Sequence, residues 1–207
     1  SQTNLGVKIT LEKHIPAAAG VGGGSADAAA TLRALCRLWG LDLSQEELEV
    51  LALSLGADIP VCLRSTACLM RGVGEDLLEV LHTPKLGILL VNPGVSVPTP
   101  AIFGAREAGF SDIPNRDLLY STYSDAQFLD YLRDQQNDLY DPACRLNPII
   151  ADVVKAIGDL PHIRLARMSG SGATCFGIFD NLEAAKQAKS VLLSQFPKWW
   201  SCATELI

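Results

Sequence analysis

Pro16-Ala-Ala-Ala-Gly20-Val-Gly22-Gly23-Gly24-Ser25-Ala-Asp27-Ala-Ala-Ala-Thr31 is the stretch whose reading decides the fold. An alternating apolar run, Val7-Lys-Ile9-Thr-Leu11, leads into it and predicts a strand. Ala28, Leu32, Leu35, Cys36 and Trp39 lead out of it at helical spacing up to a stop at Gly40. Ser25 is the expected N-cap, and Asp27 in the first turn suits the helix dipole. Glycines leave backbone N–H groups uncovered, and a helix start adds unpaired donors of its own. Loop and helix start together form a cradle for an anion, with phosphate the first ligand to consider.

Composition narrows what such a site can serve. The chain has 207 residues, 48% hydrophobic and 19% charged, which describes one large or two small globular domains and excludes disorder. A net charge of −6 argues against nucleic acid or an anionic membrane as partner. No apolar run approaches the ~20 residues of a membrane span. The cysteines Cys36, Cys62, Cys68, Cys144, Cys175 and Cys202 form no C-x-x-C and no cluster with histidine. That usage predicts a reducing cytoplasm, with no disulfide framework and no bound zinc.

Further along, Ser44-Gln-Glu-Glu47 is a capping box that opens a second helix ending at Gly56, so the first two helices are expected to form a hairpin. Gly56-Ala57-Asp58-Ile59-Pro60-Val61 sets a carboxylate among apolar residues, which taken alone reads as a cap or turn. Ala67–Met70 and Leu77–Leu81 are expected strands joined through Gly72-Val-Gly74-Glu75. A domain boundary is expected near His82-Thr-Pro84-Lys85, giving domains 1–84 and 85–207. In the second, Leu86–Val91 reads as a strand, Pro98-Thr99-Pro100 as a helix start, and residues 109–124 as a surface loop. Asp125–Gln136, Pro148–Ile157 and Leu182–Gln195 read as helices. Ile163–Ala166, Cys175–Phe179 and Ser201–Ile207 read as strands. Between the first two of these strands lies a second glycine-rich loop, Met168-Ser-Gly170-Ser171-Gly172-Ala-Thr174. The expected class is α+β, an antiparallel sheet with helices on one face.

Two common phosphate loops are excluded. A P-loop needs a lysine, and none occurs between Lys13 and Lys85. The dinucleotide pattern fails because Ser25 stands where its last glycine belongs. A tight turn without a ligand remains the alternative for the loop by itself.

The first loop, the Gly-Ala-Asp-Ile-Pro segment and the Met-Ser-Gly-Ser-Gly-Ala loop together resemble the GHMP small-molecule kinases. Gly72-Val-Gly-Glu75, Asn92-Pro-Gly-Val-Ser-Val-Pro-Thr-Pro-Ala-Ile-Phe103 and Asn137-Asp-Leu139 sharpen this. They resemble the branch that phosphorylates a cytidine-diphosphate polyol in the non-mevalonate isoprenoid pathway. The resemblance runs from about Val7 to Phe179. It implies two domains, the first a partial ribosomal-S5-domain-2-like fold and the second ferredoxin-like. It implies that Pro16, Ala17, Ala18, Ala19, Gly20, Val21, Gly22, Gly23, Gly24, Ser25 and Ala26 wrap ATP, with Ser25 reaching a phosphate or Mg²⁺. Gly170, Ser171 and Gly172 would close over the phosphates, and Asp58 would be the catalytic carboxylate. Phe103 would stack on the cytosine, with the Thr99 hydroxyl nearby.

These kinases carry a catalytic lysine and a Tyr-His segment ahead of the ATP loop, and nothing in Ser1–Lys13 matches either. The role of that lysine is not transferred to Lys8 or Lys13. The chain is therefore expected to be incomplete at its start, and the 207-residue polypeptide alone to show little kinase activity. The alternatives are another GHMP kinase of mevalonate or homoserine type, or an inactive nucleotide-binding form. Of the other residues, His14, His82 and His162 read as strand-end or linker residues, and Trp199 and Trp200 as a packed cap. Asp27 reads as a dipole partner more than a metal ligand. Arg145, Arg164 and Arg167 are candidate phosphate neighbours.

Overall fold

The computed structural model describes residues 6–17, 19–81, 83–107, 109–112 and 124–206. The chain divides into two compact units, one of Ser1–Ala17 with Gly22–Val80, the other of Ala18–Val21 with Leu81–Ile207. Ala18, His82 and residues 113–123 of the expected surface loop lie outside the described residues.

In the first unit, α1 (Gly23–Trp39) begins two residues before Ser25, with Gly22 in the N-cap position. Ser25 therefore lies inside the first turn and does not cap it. Asp27 lies beyond that turn and forms an ion pair with Lys13, which replaces the dipole role expected for it. In α2 (Gln45–Leu55) the capping box is as expected: Ser44 Oγ accepts from the Glu47 amide at 3.2 Å, and the Glu47 carboxylate accepts from the Ser44 amide at 2.8 Å.

The segment holding Asp58, expected as a cap or turn, leads into a short helix, α3 (Ile59–Arg64), with Asp58 at its N-cap position. Proline is compatible with the first turn of a helix because the N–H it lacks has no partner there. Ile59 and Leu63 of α3 meet Ala29 of α1 and Ala52 of α2 in one buried cluster, so a third helix completes the expected hairpin. Arg64 donates to both Glu49 carboxylate oxygens at 2.8 and 3.0 Å and to the Leu77 carbonyl at 3.2 Å. Leu77 lies on β2 (Asp76–Glu79), which pairs antiparallel with β1 (Cys68–Arg71).

The strand expected over Val7–Leu11 does not form among the described residues. A strand needs a neighbouring backbone to bond, and among the described residues β1 and β2 pair only with each other. Val7, Ile9 and Leu11 are accordingly 44%, 58% and 59% exposed.

The second unit runs β3 (Gly87–Asn92), α4 (Thr99–Gly104), α5 (Asp125–Asp134), α6 (Tyr140–Leu146), α7 (Ile149–Gly158), β4 (Leu165–Met168), β5 (Cys175–Phe179), α8 (Leu182–Gln195) and β6 (Trp200–Glu205). Its sheet has the order β4-β5-β3-β6 with every pair antiparallel, the ferredoxin-like arrangement. Leu89 sits between Gly177 and Ala203 in the ladder. One face packs Leu89, Val91, Cys175 and Phe179 against Ile150, Val153 and Ile157 of α7 and Ala185, Ala188 and Leu192 of α8.

Contrary to the sequence expectation, the helices do not all lie on one face. Phe128 and Leu129 of α5 cluster with Ile178, Ile88, Leu165 and Phe176 from the other side of the strands. The physical reason is the continuous apolar run of β3: a strand hydrophobic on both faces needs cover on both. The helix α6 was also unforeseen, being short and carrying Pro142 in its first turn.

Candidate active site

In the first unit the glycine loop runs directly into α1. The Ala26 amide bonds back to the Gly22 carbonyl at 2.8 Å, so the amides ahead of it are the unpaired donors of a helix start. A Cβ placed on Gly24 would meet nothing within 4 Å, which leaves the approach to these donors open. A Cβ on Gly22 would lie 3.9 Å from Cys62 Sγ, so this helix start abuts α3.

Asp58 stands immediately before α3, exposed, and its carboxylate makes no capping bond to that helix. Burial, and after it the Asp58 charge, push the Cys62 thiol up, with Arg33 opposing. Asp58 and the N-terminal end of α1 thus both lie close to Cys62. The turn behind them is fixed by close approach: Gly74 has φ +108°, and a Cβ there would lie 2.1 Å from the Ala57 carbonyl oxygen.

In the second unit Ala19 and Gly20 meet the second glycine loop. The Thr174 amide donates to the Ala19 carbonyl at 3.2 Å, and the Ser169 hydroxyl donates to the Gly20 carbonyl at 2.8 Å. A Cβ on Gly20 would lie 2.3 Å from the Gly172 carbonyl oxygen. Pro16 is half-buried, Ala17 exposed, Ala19 buried, and Val21 half-buried. Gly170 is exposed and Ser171 buried, with the Ser171 hydroxyl 2.9 Å from that of Thr99. Thr99 opens α4, and Phe103 is one turn further along the same helix face, 48% exposed. Arg145 fixes the other end of α4 by donating to the Ala105 carbonyl at 2.8 Å.

Several supporting residues were not foreseen. Asn92 and Thr174 are 2% and 0% exposed, and the Asn92 amide donates to Thr174 Oγ1 at 2.8 Å. Asn92 Oδ1 accepts from the Gly94 amide at 2.8 Å. Residues 82 positions apart leave no local pattern from which this could be read. Thr174→Val keeps the shape but strands the buried Asn92 donor, so it is expected to lower the unfolding free energy by about 1–3 kcal/mol in urea titration. An unchanged midpoint would show that the bond carries no net stability.

Arg164 and Arg167, candidate phosphate neighbours, make other bonds as well. Arg164 pairs with Asp180 at 2.7 Å, and Arg167 donates to the Arg133 carbonyl at 2.9 Å. Trp199 stacks on Phe196 with ring centroids 4.1 Å apart, the packed cap expected for it.

Residues 1–66 match the family described as GHMP kinases N terminal domain, and residues 126–198 that described as GHMP kinases C terminal. A 4-diphosphocytidyl-2-C-methyl-D-erythritol kinase of Cereibacter sphaeroides is 45% identical over 203 residues, an alignment covering 98% of this chain and 72% of that protein. The chain belongs to the GHMP kinases. A GHMP kinase of the same name from Rhodospirillum rubrum is 46% identical over 200 residues, covering 97% of this chain. This chain spans only 65% of that relative's length, under two thirds. A crystal structure of 4-(cytidine 5'-diphospho)-2C-methyl-D-erythritol kinase superposes with a TM-score of 0.73 at 33% identity, covering 93% of this chain and 68% of the other. The two-domain GHMP kinase fold is thus common to this chain and its relatives.

Proposed function

We propose that this chain serves ATP-dependent phosphorylation of a hydroxyl of 4-diphosphocytidyl-2-C-methyl-D-erythritol, the substrate in the names of its relatives. The observation that carries the reading is the link from Phe103 through Thr99 to Ser171. A half-exposed aromatic ring suited to a base shares a helix face with a hydroxyl bonded into a glycine-rich loop. Mevalonate and homoserine have no base to stack, which disfavours those substrates.

In this reading the amides at the start of α1 and those of Gly170, Ser171 and Gly172 hold the phosphates of ATP. Asp58 accepts the proton of the substrate hydroxyl as its oxygen bonds to the γ-phosphorus. The bond from that phosphorus to the β,γ-bridging oxygen breaks, and ADP leaves. Catalysis then rests on positioning and on neutralising charge, to which the backbone donors contribute. In this reading Mg²⁺ is carried mainly by the nucleotide phosphates. Ser25 is the residue proposed to reach it; the ion would neutralise charge on the transferred group.

No helix among the described residues is long and apolar enough to cross a membrane. The net charge of −6 supports small molecules over nucleic acid as partners, and the free thiols support a cytoplasmic location.

Base stacking is worth about 1–3 kcal/mol, so Phe103→Ala is expected to raise the KM for the cytidine substrate about 5–150-fold. The KM for ATP is expected to stay within about twofold, and Phe103→Trp to restore most of the loss. Steady-state kinetics with each substrate varied in turn checks this. A Phe103→Ala enzyme with an unchanged KM for the cytidine substrate would remove the stacking role.

A further inference from the structure

Asn137 begins the Asn-Asp-Leu segment that precedes α6, and its carboxamide uses three of its four hydrogen-bonding positions. Nδ2 donates to the Met168 carbonyl at 3.1 Å and to the Gly170 carbonyl at 2.8 Å. Oδ1 accepts from the Leu139 amide at 3.0 Å, which fixes which way the carboxamide faces. The two carbonyls flank Ser169, whose hydroxyl holds Gly20. The Ser169 amide is itself held by the Thr174 carbonyl, and the Gly172 amide by the Ser169 carbonyl, both at 2.9 Å.

We infer that Asn137 is a positioning residue that aims the Ser171 amide at a nucleotide phosphate, an inference that rests on the kinase reading above. The argument is one of peptide geometry. Across a trans peptide the C=O and the following N–H point in opposite directions. With the Gly170 carbonyl held by Asn137, the Ser171 N–H is directed away from Asn137. The Ser171 side chain is meanwhile held by Thr99. Without the carboxamide the peptide joining Gly170 and Ser171 can rotate, because a glycine precedes it, and the donor loses its direction. Asn137 touches neither nucleotide nor acceptor in this account; it acts through the loop.

The adjacent Asp138 does a separate task. It accepts from the Ser111 amide and hydroxyl at 2.8 Å, and those bonds hold its carboxyl below the usual range. It serves the segment beyond α4, so the two neighbouring side chains are separable by mutation.

The test uses Asn137→Asp and Asn137→Ala in the full-length protein. The aspartate keeps the shape but sets a carboxylate against two carbonyl oxygens. Both variants are expected to raise the KM for ATP at least tenfold, with kcat falling less than threefold and the KM for the cytidine substrate within twofold. Affinity for a non-hydrolysable ATP analogue is expected to fall in parallel, while adenosine affinity stays unchanged. An unchanged ATP KM, or equal losses for both substrates, overturns the inference.

Amide hydrogen exchange on the wild-type protein tests it without a variant. The Ser171 amide is expected to gain protection when the analogue binds, and no gain overturns the inference. A wild type that neither binds the analogue nor turns over substrate overturns the kinase reading, and this inference falls with it. A fully active wild type with indifferent Asn137 variants overturns the inference alone.

Discussion

Asp58→Asn is expected to lower kcat by about 10²–10⁴-fold, the range for removing a positioned general base. ATP affinity is expected to stay within a few-fold. The site explains the separation. Asp58 is exposed and does not cap α3, so neutralising it removes no structural bond to that helix. The melting temperature should therefore be unchanged. A charge that matters only as the hydroxyl loses its proton acts in the transition state, and its loss appears in kcat rather than in nucleotide binding. The fold-change corresponds to about 3–5 kcal/mol of barrier. Steady-state kinetics and titration with an ATP analogue check both halves. A large loss of ATP affinity with kcat intact would mean that Asp58 serves the nucleotide instead.

Gly20→Ala should damage the first glycine loop more than any other single methyl group added there. The backbone φ of +71° disfavours any Cβ, and this Cβ would lie 2.3 Å from the Gly172 carbonyl oxygen, where only backbone movement makes room. Moving Gly20 also strains the Ser169 hydroxyl bond and the neighbouring bond from Thr174 to Ala19. An unfavourable backbone region costs about 1–3 kcal/mol, so a comparable drop in unfolding free energy is expected. ATP affinity is expected to fall at least tenfold. Gly24→Ala is the stability control: its Cβ meets nothing within 4 Å, and its melting temperature should match wild type. Urea titration and calorimetric binding of an ATP analogue give the two readings. A Gly20→Ala protein with wild-type stability and affinity would show that the two glycine loops need not touch.

Local signals were legible in the sequence where one short stretch contained all the physics. The Ser44–Glu47 box closes on itself within four residues, and the Leu86–Val91 run needs no partner to declare its apolarity. Asp58 read as a cap or turn, yet Pro60 just after it fits the first turn of α3, and α6, with Pro142 in its first turn, was not read at all. Val7–Leu11 misled in the opposite way, since alternation states a preference while a strand requires a neighbour.

The candidate site divides along the same line. Asp58, Phe103 and both glycine loops stand in motifs that can be quoted. The contacts around the second glycine loop join distant positions: Ser169 to Gly20, Thr99 to Ser171, Asn92 to Thr174. Asn137 lay inside a quoted motif, yet its grip on Met168 and Gly170 spans more than thirty residues and has no sequence period. Ser25 and Asp27 show how two residues of helix offset change a role. One moves from cap to first turn, and the other from dipole partner to the counter-ion of Lys13.

The most direct measurement supplies the full-length protein with ATP, Mg²⁺ and 4-diphosphocytidyl-2-C-methyl-D-erythritol and follows phosphorus by NMR. The account predicts a new phosphomonoester resonance on the polyol, formed in step with ADP, and none when mevalonate or homoserine replaces the cytidine substrate. Phosphorylation of mevalonate or homoserine in preference, or no transfer to the cytidine substrate, would contradict it.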